Sequence, residues 1–309
     1  MIELEHATKK YGALTALQDV SFRVDKGETI GLLGRNGAGK TTALNLMTGY
    51  FPPTAGHVRI GGMDMRSSAR ECRRMIGYLP EKPPLYDEMT TEEYLRFVCE
   101  LREVKRSAVR GHVQEIMELC GLTEVRKRLL GHLSKGYRQR AGIAQALCGT
   151  PEALIFDEPT VGLDPRQTVE IRELIRRLSA DHTVVFSSHI LSEVQQLCSR
   201  VIILDEGRMV MDYDGKRPAE EPARIRVKIA GDPESVMNRL QHLDPGISAE
   251  ALPESEGGTT EARLTLPGET DGGAAADRVF RLLAAAGLPV RMMREERETL
   301  EEVFLRVSS

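Results

Sequence analysis

One glycine-rich stretch, GRNGAGKTT at residues 34–42, constrains the fold of this chain more than any other. It follows the largely apolar run 29–33 and precedes the run 43–47, so it is predicted to form the turn between a buried strand and a helix. Its spacing fits the phosphate-binding loop G-x-x-x-x-G-K-[ST] at every fixed position. Glycines let successive backbone N–H groups face one hollow, and the following helix adds the positive end of its dipole. An ordinary glycine-rich turn is the alternative for so short a motif.

Two side chains of this loop are suited to nucleotide chemistry. Lys40 is predicted to bring a positive charge toward the β- and γ-phosphates, and the hydroxyl of Thr41 is suited to Mg²⁺. The candidate nucleotide-binding residues of the stretch are Gly34, Asn36, Gly37, Ala38, Gly39, Lys40, Thr41 and Thr42.

Length and composition predict a soluble globular protein of two domains. At 309 residues the chain exceeds one ordinary domain, and 41% hydrophobic residues suffice for a sizeable core. The net charge of −4 gives no general attraction to nucleic acid or to an anionic membrane. The five cysteines are widely spaced, which favours a reducing compartment over a disulfide frame or a zinc site. Because no apolar stretch is long enough to cross a bilayer and the N-terminus is acidic, we expect a cytoplasmic protein.

The segments around the phosphate loop predict a sheet and an inserted helical lobe. Alternating apolar and polar residues predict antiparallel strands at 2–8, 20–25 and 57–60. Tyr11 lies at a turn between the first two strands. It is either a half-buried loop aromatic, which the local sequence favours, or a platform for a purine ring. After a buried strand at 75–79, a capping box at Thr90 and an amphipathic run at 109–120 predict the helical lobe.

Two acids follow a fully apolar run. Residues 153–156 are typical of a central parallel strand, and Asp157 and Glu158 come directly after them. Because ligands bind at the carboxyl ends of strands in α/β sheets, both acids are predicted to face the site and not to form a solvated turn. Asp157 is suited to holding Mg²⁺, and Glu158 to accepting a proton from an attacking water. His189 follows the buried strand 183–188 at the same edge, which favours a phosphate-sensing role over a structural one.

A second candidate anion site lies at Ser134 and Gly136, which precede a helix predicted over 138–147. Backbone N–H groups at a helix N-terminus are free to bind phosphate. Taken alone, this stretch favours an ordinary serine N-cap.

Taken together and in this order, the motifs of residues 2–215 resemble those of the ATPase subunit of ATP-binding cassette (ABC) transporters. Walker A is GRNGAGKTT, the signature is LSKGY, Walker B is ALIFDEP, the D-loop is VGLDP and the H-loop is SSHIL. Five motifs in the expected order are far more specific than one. The resemblance implies the α/β P-loop NTPase fold of ABC ATPases, with a mixed central sheet, an antiparallel β subdomain and a helical subdomain. It also implies ATP and Mg²⁺ as ligands.

The resemblance implies roles within one subunit. Tyr11 takes the adenine-stacking position, Glu158 becomes the catalytic base and His189 the switch residue. The loop after the strand 75–79 usually offers a glutamine, whereas this chain has Glu81. A carboxylate can also approach Mg²⁺ or the attacking water, but it adds a negative charge near the γ-phosphate. The implied metal-binding residues are Thr41, Asp157 and Glu81.

The resemblance also implies roles between subunits. Ser134 and Gly136 contact ATP bound to a second copy of the chain, and Asp164 contacts that copy across the dimer. The signature usually reads LSGGQ, and here Lys135 and Tyr137 depart from it, while the serine and glycine that a phosphate contact needs remain. ATP is therefore expected to join two subunits, most simply as a homodimer, and hydrolysis to release them.

The sequence pattern changes past residue 217, which predicts an ATP-binding domain at 1–217 and an accessory domain at 218–309. The predicted elements of the second domain follow the order β-α-β-β-α-β of a small α+β, ferredoxin-like fold, with a closing helix at 300–307. We find no catalytic constellation there, and the charge run 291–302 favours a solvated face over a binding site. The ending 299–305 is similar to the tail of bacterial ABC ATPases that serve separate, exporter-type permeases.

The resemblance predicts an ATPase that drives a separate transmembrane permease, most simply for export, from the inner face of the cell membrane. The alternative is a soluble ABC ATPase that acts on nucleic acid or ribosomes. That class commonly carries tandem cassettes or a long coiled-coil insertion, whereas this chain has one Walker A motif and a short helical lobe. Its acidic balance also disfavours a nucleic-acid partner. A dimerisation module without turnover is disfavoured by Glu158.

Overall fold

The computed structural model describes residues 1–214, 223–253, 258–267 and 272–296, together with Leu300 and Phe304. The chain divides into two compact units, one of Met1–Gly215 with Phe304–Ser309 and one of Lys216–Val303. The boundary predicted after residue 217 and most of the helix predicted over 300–307 lie outside the described residues.

The first unit contains both strands and helices. Its strands are β1 (Ile2–Tyr11), β2 (Leu14–Val24), β3 (Thr29–Leu33), β4 (Ala55–Ile60), β5 (Met63–Asp64), β6 (Ile76–Leu79), β7 (Ala153–Asp157), β8 (Thr183–Ser188), β9 (Arg200–Asp205) and β10 (Arg208–Tyr213). Its helices are α1 (Lys40–Met47), α2 (Ala69–Arg74), α3 (Thr91–Leu101), α4 (Arg106–Leu119), α5 (Lys135–Leu147), α6 (Pro165–Leu178) and α7 (Leu191–Leu197).

A six-stranded sheet in the order β10-β9-β3-β8-β7-β6 forms the centre of this unit. Its strands pair in parallel except at one edge, where β10 pairs antiparallel with β9. Every residue of β7 and β8 is buried, as their apolar sequences predict for central parallel strands. The pairings Leu33 with Ser188 and Asp157 with Ser187 bring the carboxyl ends of β3, β7 and β8 to one edge. Asp157 ends β7, and the phosphate loop, Glu158 and His189 directly follow the ends of β3, β7 and β8.

A second, antiparallel sheet has the order β2-β1-β4-β5. The alternating segments that predict it are confirmed, and β1 and β2 extend farther than the sequence pattern indicates. Helix α1 joins the two sheets, because its buried Leu44 and Met47 share one apolar core with Val20 of β2 and Ile155 of β7. The helix that begins at the phosphate loop is therefore fixed by packing along its length.

The helical lobe consists of α3 and α4, which pack against α5. Thr90 caps α3 through the predicted capping box, in which its hydroxyl accepts from the backbone N–H of Glu93 and the Glu93 side chain accepts from the backbone N–H of Thr90. The sequence analysis misses α2, α7 and β5. Helix α2 has 6 residues and α7 has 7, so each is too short for helical periodicity to be read from the sequence.

The second unit comprises β11 (Ala223–Ala230), α8 (Pro233–Gln241), β12 (Ser248–Ala251), β13 (Thr259–Leu266), α9 (Gly272–Ala285) and β14 (Val290–Glu295). Its antiparallel sheet has the order β12-β13-β11-β14, so two split β-α-β units interleave. The described elements follow the predicted β-α-β-β-α-β order. Alternate residues of β11 are buried against the helices, and charged side chains occupy the other face. On that face Arg263 pairs with Glu296 and Glu250.

The five cysteines form no disulfide, and all but Cys198 are buried. Among the described residues, no helix combines the length and the apolar character that crossing a membrane requires.

Candidate nucleotide site

A cavity of about 530 Å³ opens at the carboxyl edge of the parallel strands. The predicted residues that line it are Tyr11, Asn36, Gly37, Gly39, Lys40, Thr41, Thr42, Glu81, Glu158 and His189. Leu14, Ala16, Arg35 and Val161 line it as well, and the sequence analysis misses them because none belongs to a fixed motif position. Residues from four distant segments of the chain therefore meet at the phosphate loop.

The phosphate loop has the backbone that its glycines predict. Gly39 precedes α1 with a φ of 102°, a left-handed conformation that favours glycine. A side chain at Gly39 would also lie 2.8 Å from the carbonyl oxygen of Ala16, and one at Gly34 would lie 2.5 Å from that of Leu204. Gly34 and Ala38 are buried and do not line the cavity, so they support the loop from behind.

Lys40 has a buried side chain at the base of the cavity, with 6% exposure. Its ammonium donates to the carbonyl oxygens of Gly34 at 2.7 Å and Arg35 at 3.2 Å. It also lies 3.3 Å from Oε1 of Glu158. These contacts hold the Lys40 side chain folded back against the backbone of the phosphate loop, where it lines the cavity.

Glu158 is held in an unusual backbone conformation. Its φ of 48° is left-handed, which is rare for a residue with a long side chain. The backbone N–H of Glu158 donates to Oγ of Ser187 at 2.9 Å, and the Nδ1 atom of His189 donates to Oε2 of Glu158 at 2.8 Å. Backbone strain of this kind persists only where the surroundings over-determine it, and it concentrates at functional sites.

Asp157 lies behind the cavity, with 1% exposure, and does not line it. Ser187 donates its hydroxyl to Oδ1 of Asp157 at 2.7 Å, and Thr41 donates a second side-chain hydrogen bond. Burial raises the pKa of Asp157, the two hydroxyls oppose that rise, and the charges of Glu158 and Glu81 add to it. A carboxylate and a hydroxyl are the hard oxygen ligands that Mg²⁺ takes beside nucleotide phosphates, so this pair fits the ion.

Tyr11 is the last residue of β1; it lines the cavity and is 40% exposed. The rings of Tyr11 and Phe51 are nearly perpendicular, with centroids 5.8 Å apart, and the ammonium of Lys9 lies 5.1 Å from the centroid of the Tyr11 ring. The sequence predicts Tyr11 at a turn, whereas β1 includes Tyr11 and the turn begins one residue later.

Ser134 and Gly136 of the signature and Asp164 of the D-loop do not line this cavity. Ser134 caps α5 by accepting from the backbone N–H of Tyr137 at 3.5 Å, and Asp164 caps α6 by accepting from Gln167 at 2.8 Å. Gly136 is buried against the side chain of Gln167, where a methyl group would meet it at 2.8 Å. Within one chain, the serine and the aspartate thus have ordinary capping roles.

Ser187 is a site residue that the sequence analysis misses. Its hydroxyl accepts from Glu158 and donates to Asp157, so it aligns the two acids. The residue follows the apolar part of β8, and only the register of β8 against β7 reveals the contact.

Comparisons with known proteins agree with the geometry. Residues 17–161 match the family model described as ABC transporter. The chain is 32% identical to the uncharacterized ABC transporter ATP-binding protein YxlF of Bacillus subtilis, over 99% of both chains. It is 38% identical to the bacitracin transport ATP-binding protein BcrA of Bacillus licheniformis, over 79% of this chain and 80% of that protein.

Solved structures are similar over about 70% of the chain. One, described as the ATP binding subunit of an ABC transporter, is 31% identical with a TM-score of 0.64, over 69% of this chain and 90% of its own. A second, the dimeric structure of the bacterial ABC transporter cassette MJ0796, is 26% identical with a TM-score of 0.65, over 71% of this chain and all of its own. With the family model, the near full-length relative and the geometry in agreement, the chain belongs to the ABC transporter family as an ATP-binding subunit with ATPase activity.

Proposed function

We propose that two copies of this chain close around two ATP molecules and drive export through a separate membrane permease. The observation that carries the proposal is the division of the motifs within one chain. The cavity gathers the phosphate loop, Glu158 and His189, whereas Ser134 and Gly136 lie outside it. A nucleotide that is to meet both sets of residues needs a second copy of the chain.

The arrangement supports hydrolysis by positioning and charge neutralisation. Lys40 and the N–H groups at the start of α1 hold the phosphates, and Tyr11 stacks on the adenine. Glu158 accepts the proton of the attacking water, and the hydrogen bond from His189 fixes the direction of its carboxylate. Thr41 and Asp157 would hold Mg²⁺, which neutralises charge on the phosphates when bound.

Glu81 makes this site more acidic than one with the usual glutamine. Its carboxylate lines the cavity and acts electrostatically on Asp157. We infer that Glu81 approaches Mg²⁺ or the attacking water and so links the nucleotide to the loop that follows β6. Glu81→Gln keeps the shape and removes the charge, so it should change the Mg²⁺ concentration that gives half-maximal ATPase activity.

Cross-subunit complementation tests the shared site. Lys40→Ala should abolish nucleotide binding in its own subunit, and Ser134→Glu should repel the phosphates of the partner's ATP. Neither variant alone should hydrolyse ATP. A mixture of the two should regain activity, because a mixed dimer has one site with both residues intact. If mixing restores no turnover, while each variant remains folded, the shared site is wrong.

Purification from membranes tests the transporter role. The tagged full-length chain should bring an integral membrane protein with it, and Glu158→Gln with ATP should strengthen that association. The relative named for bacitracin transport supports an exporter. Retention of nucleic acid or ribosomes in place of a membrane protein would favour the soluble alternative, which the net charge of −4 disfavours.

A further inference from the structure

Glu193 is a buried carboxylate beside the candidate site. It lies in α7 with 5% exposure, although it does not line the cavity. Its Oε2 atom accepts two hydrogen bonds, from Oγ1 of Thr160 at 2.9 Å and from Oγ of Ser188 at 2.8 Å. Within the described ranges no lysine, arginine or histidine forms an ion pair with it.

The two hydroxyls belong to the segments that carry the reacting side chains. Thr160 follows Glu158 by one intervening proline, and Ser188 directly precedes His189. Ser188 also accepts from the backbone N–H of Ile190 at 3.0 Å, which fixes the turn that holds the histidine. One oxygen of Glu193 therefore ties the end of β7 to the end of β8.

Packing alone does not explain a carboxylate at this position. Burying a charged group without a cation is unfavourable, and an apolar side chain of the same size would fill the space without that penalty. The two segments also need to be held, because Glu158 has a left-handed backbone and its carboxylate must stay 2.8 Å from His189. Hydrogen bonds to both segments provide that restraint.

We propose that Glu193 is a positioning residue for ATP hydrolysis, which sets the contact between Glu158 and His189 by holding Thr160 and Ser188. The inference rests on the roles proposed above for Glu158 and His189. Since displacements of about 1 Å in a catalytic geometry can lower turnover by about a hundredfold, the effect should fall on kcat and not on nucleotide affinity.

Steady-state ATPase measurements on the purified full-length chain test the proposal. Glu193→Ala should lower kcat by about ten- to a hundredfold and leave the KM for ATP within about twofold. Glu193→Gln should retain most of the activity, because its amide oxygen accepts the same two hydrogen bonds. The matched control is Glu173→Ala, which removes an exposed carboxylate of α6 and should leave turnover unchanged. Thr160→Val removes one donor at nearly constant volume and carries the test if Glu193→Ala does not fold.

Coupling to His189 separates positioning from a general structural role. Glu193→Ala should cause no further loss of kcat in a chain that already carries His189→Ala, because both changes release the same carboxylate. The proposal would be overturned if the kcat losses of Glu193→Ala and His189→Ala multiply in the double variant. It would also be overturned if Glu193→Ala changes only the KM, or if it keeps full activity. Wild-type turnover in Glu158→Gln and His189→Ala would instead overturn the site assignment itself, and the inference with it.

Discussion

Lys40 Nζ lies 3.3 Å from Glu158 Oε1, and both side chains are buried. The cation of the phosphate loop and the proposed catalytic base therefore form one ion pair. A γ-phosphate that approaches Lys40 competes with Glu158 for the same ammonium. Nucleotide binding and the position of the base are thus physically linked.

Glu158→Gln should abolish turnover without loss of ATP binding. The amide keeps the shape of the side chain but accepts no proton, so we expect phosphate release to fall by about 10²- to 10⁴-fold. ATP affinity should stay equal or rise, because a neutral amide competes less for Lys40. Glu152→Gln, at the opposite end of β7, is the matched control and should behave as wild type. Turnover within tenfold of wild type in Glu158→Gln would contradict its role as the base.

Lys40→Ala should remove nucleotide binding and also destabilise the fold. It leaves the buried carboxylate of Glu158 with His189 as its remaining side-chain partner, which should cost about 1–3 kcal/mol of unfolding free energy. Adding Glu158→Gln should recover much of that stability but no ATP binding. Thermal unfolding and ATP titration measure the two effects separately. A destabilisation that the second substitution does not relieve would argue against the ion pair.

Tyr11→Ala should weaken ATP binding by about tenfold, in line with the stacking of a base on an aromatic ring. Binding of tripolyphosphate, which has no base, should not change, and Tyr11→Phe should bind ATP normally. Tyr50→Ala is the control, because Tyr50 is 70% exposed and does not line the cavity. Equal losses for ATP and tripolyphosphate would show that Tyr11 does not contact the base.

The stability of the second unit should depend on acid pH through Glu296. Two hydrogen bonds from Arg263, at 2.5 and 3.1 Å, lower the pKa of Glu296 below its ordinary value of 4.5. Between the lowered pKa of folded Glu296 and pH 4.5, the folded state therefore binds fewer protons than the unfolded state. The stabilisation from this pair is present above pH 4.5 and is lost as the pH falls through the pKa of Glu296 in the folded state.

Thermal unfolding as a function of pH checks this prediction. Glu296→Gln should lower the melting temperature at pH 7 and flatten its decrease below about pH 4.5. Asp277→Asn, which changes an exposed carboxylate of α9, should leave the acid dependence as it is in wild type. An acid dependence that Glu296→Gln does not flatten would rule out a contribution from this residue.

The motifs were predictable from the sequence because each is a short run in which local spacing determines backbone geometry. The phosphate loop, the acids after β7 and the capping box at Thr90 are of this kind. The buried parallel strands were predictable as well, because a central parallel strand needs an apolar run. The proposed role of Tyr11 depends on the resemblance to a family, since the local sequence favours an ordinary loop aromatic.

The remaining parts of the site depend on which strands are neighbours. Ser187 aligns Asp157 and Glu158 only because β8 pairs with β7 in one register. Glu193 belongs to a short helix, and its two partners come from separate segments, Thr160 after β7 and Ser188 at the end of β8. The left-handed backbone of Glu158 is a further example, since no sequence rule assigns that conformation to glutamate. These contacts join residues that are distant in the chain, so they cannot be predicted from a single sequence.

The thiols of two native cysteines, Cys120 and Cys198, have low reactivity, which helps distance measurements with attached probes. Burial raises the pKa of Cys120 and of Cys198 to about 12, so little of either thiol is in the reactive thiolate form at neutral pH. A cysteine introduced at Arg166, whose side chain is 90% exposed near the D-loop, would react far faster than these native thiols. A pair of such labels, one on each subunit, would follow the approach and separation of two chains during turnover in real time.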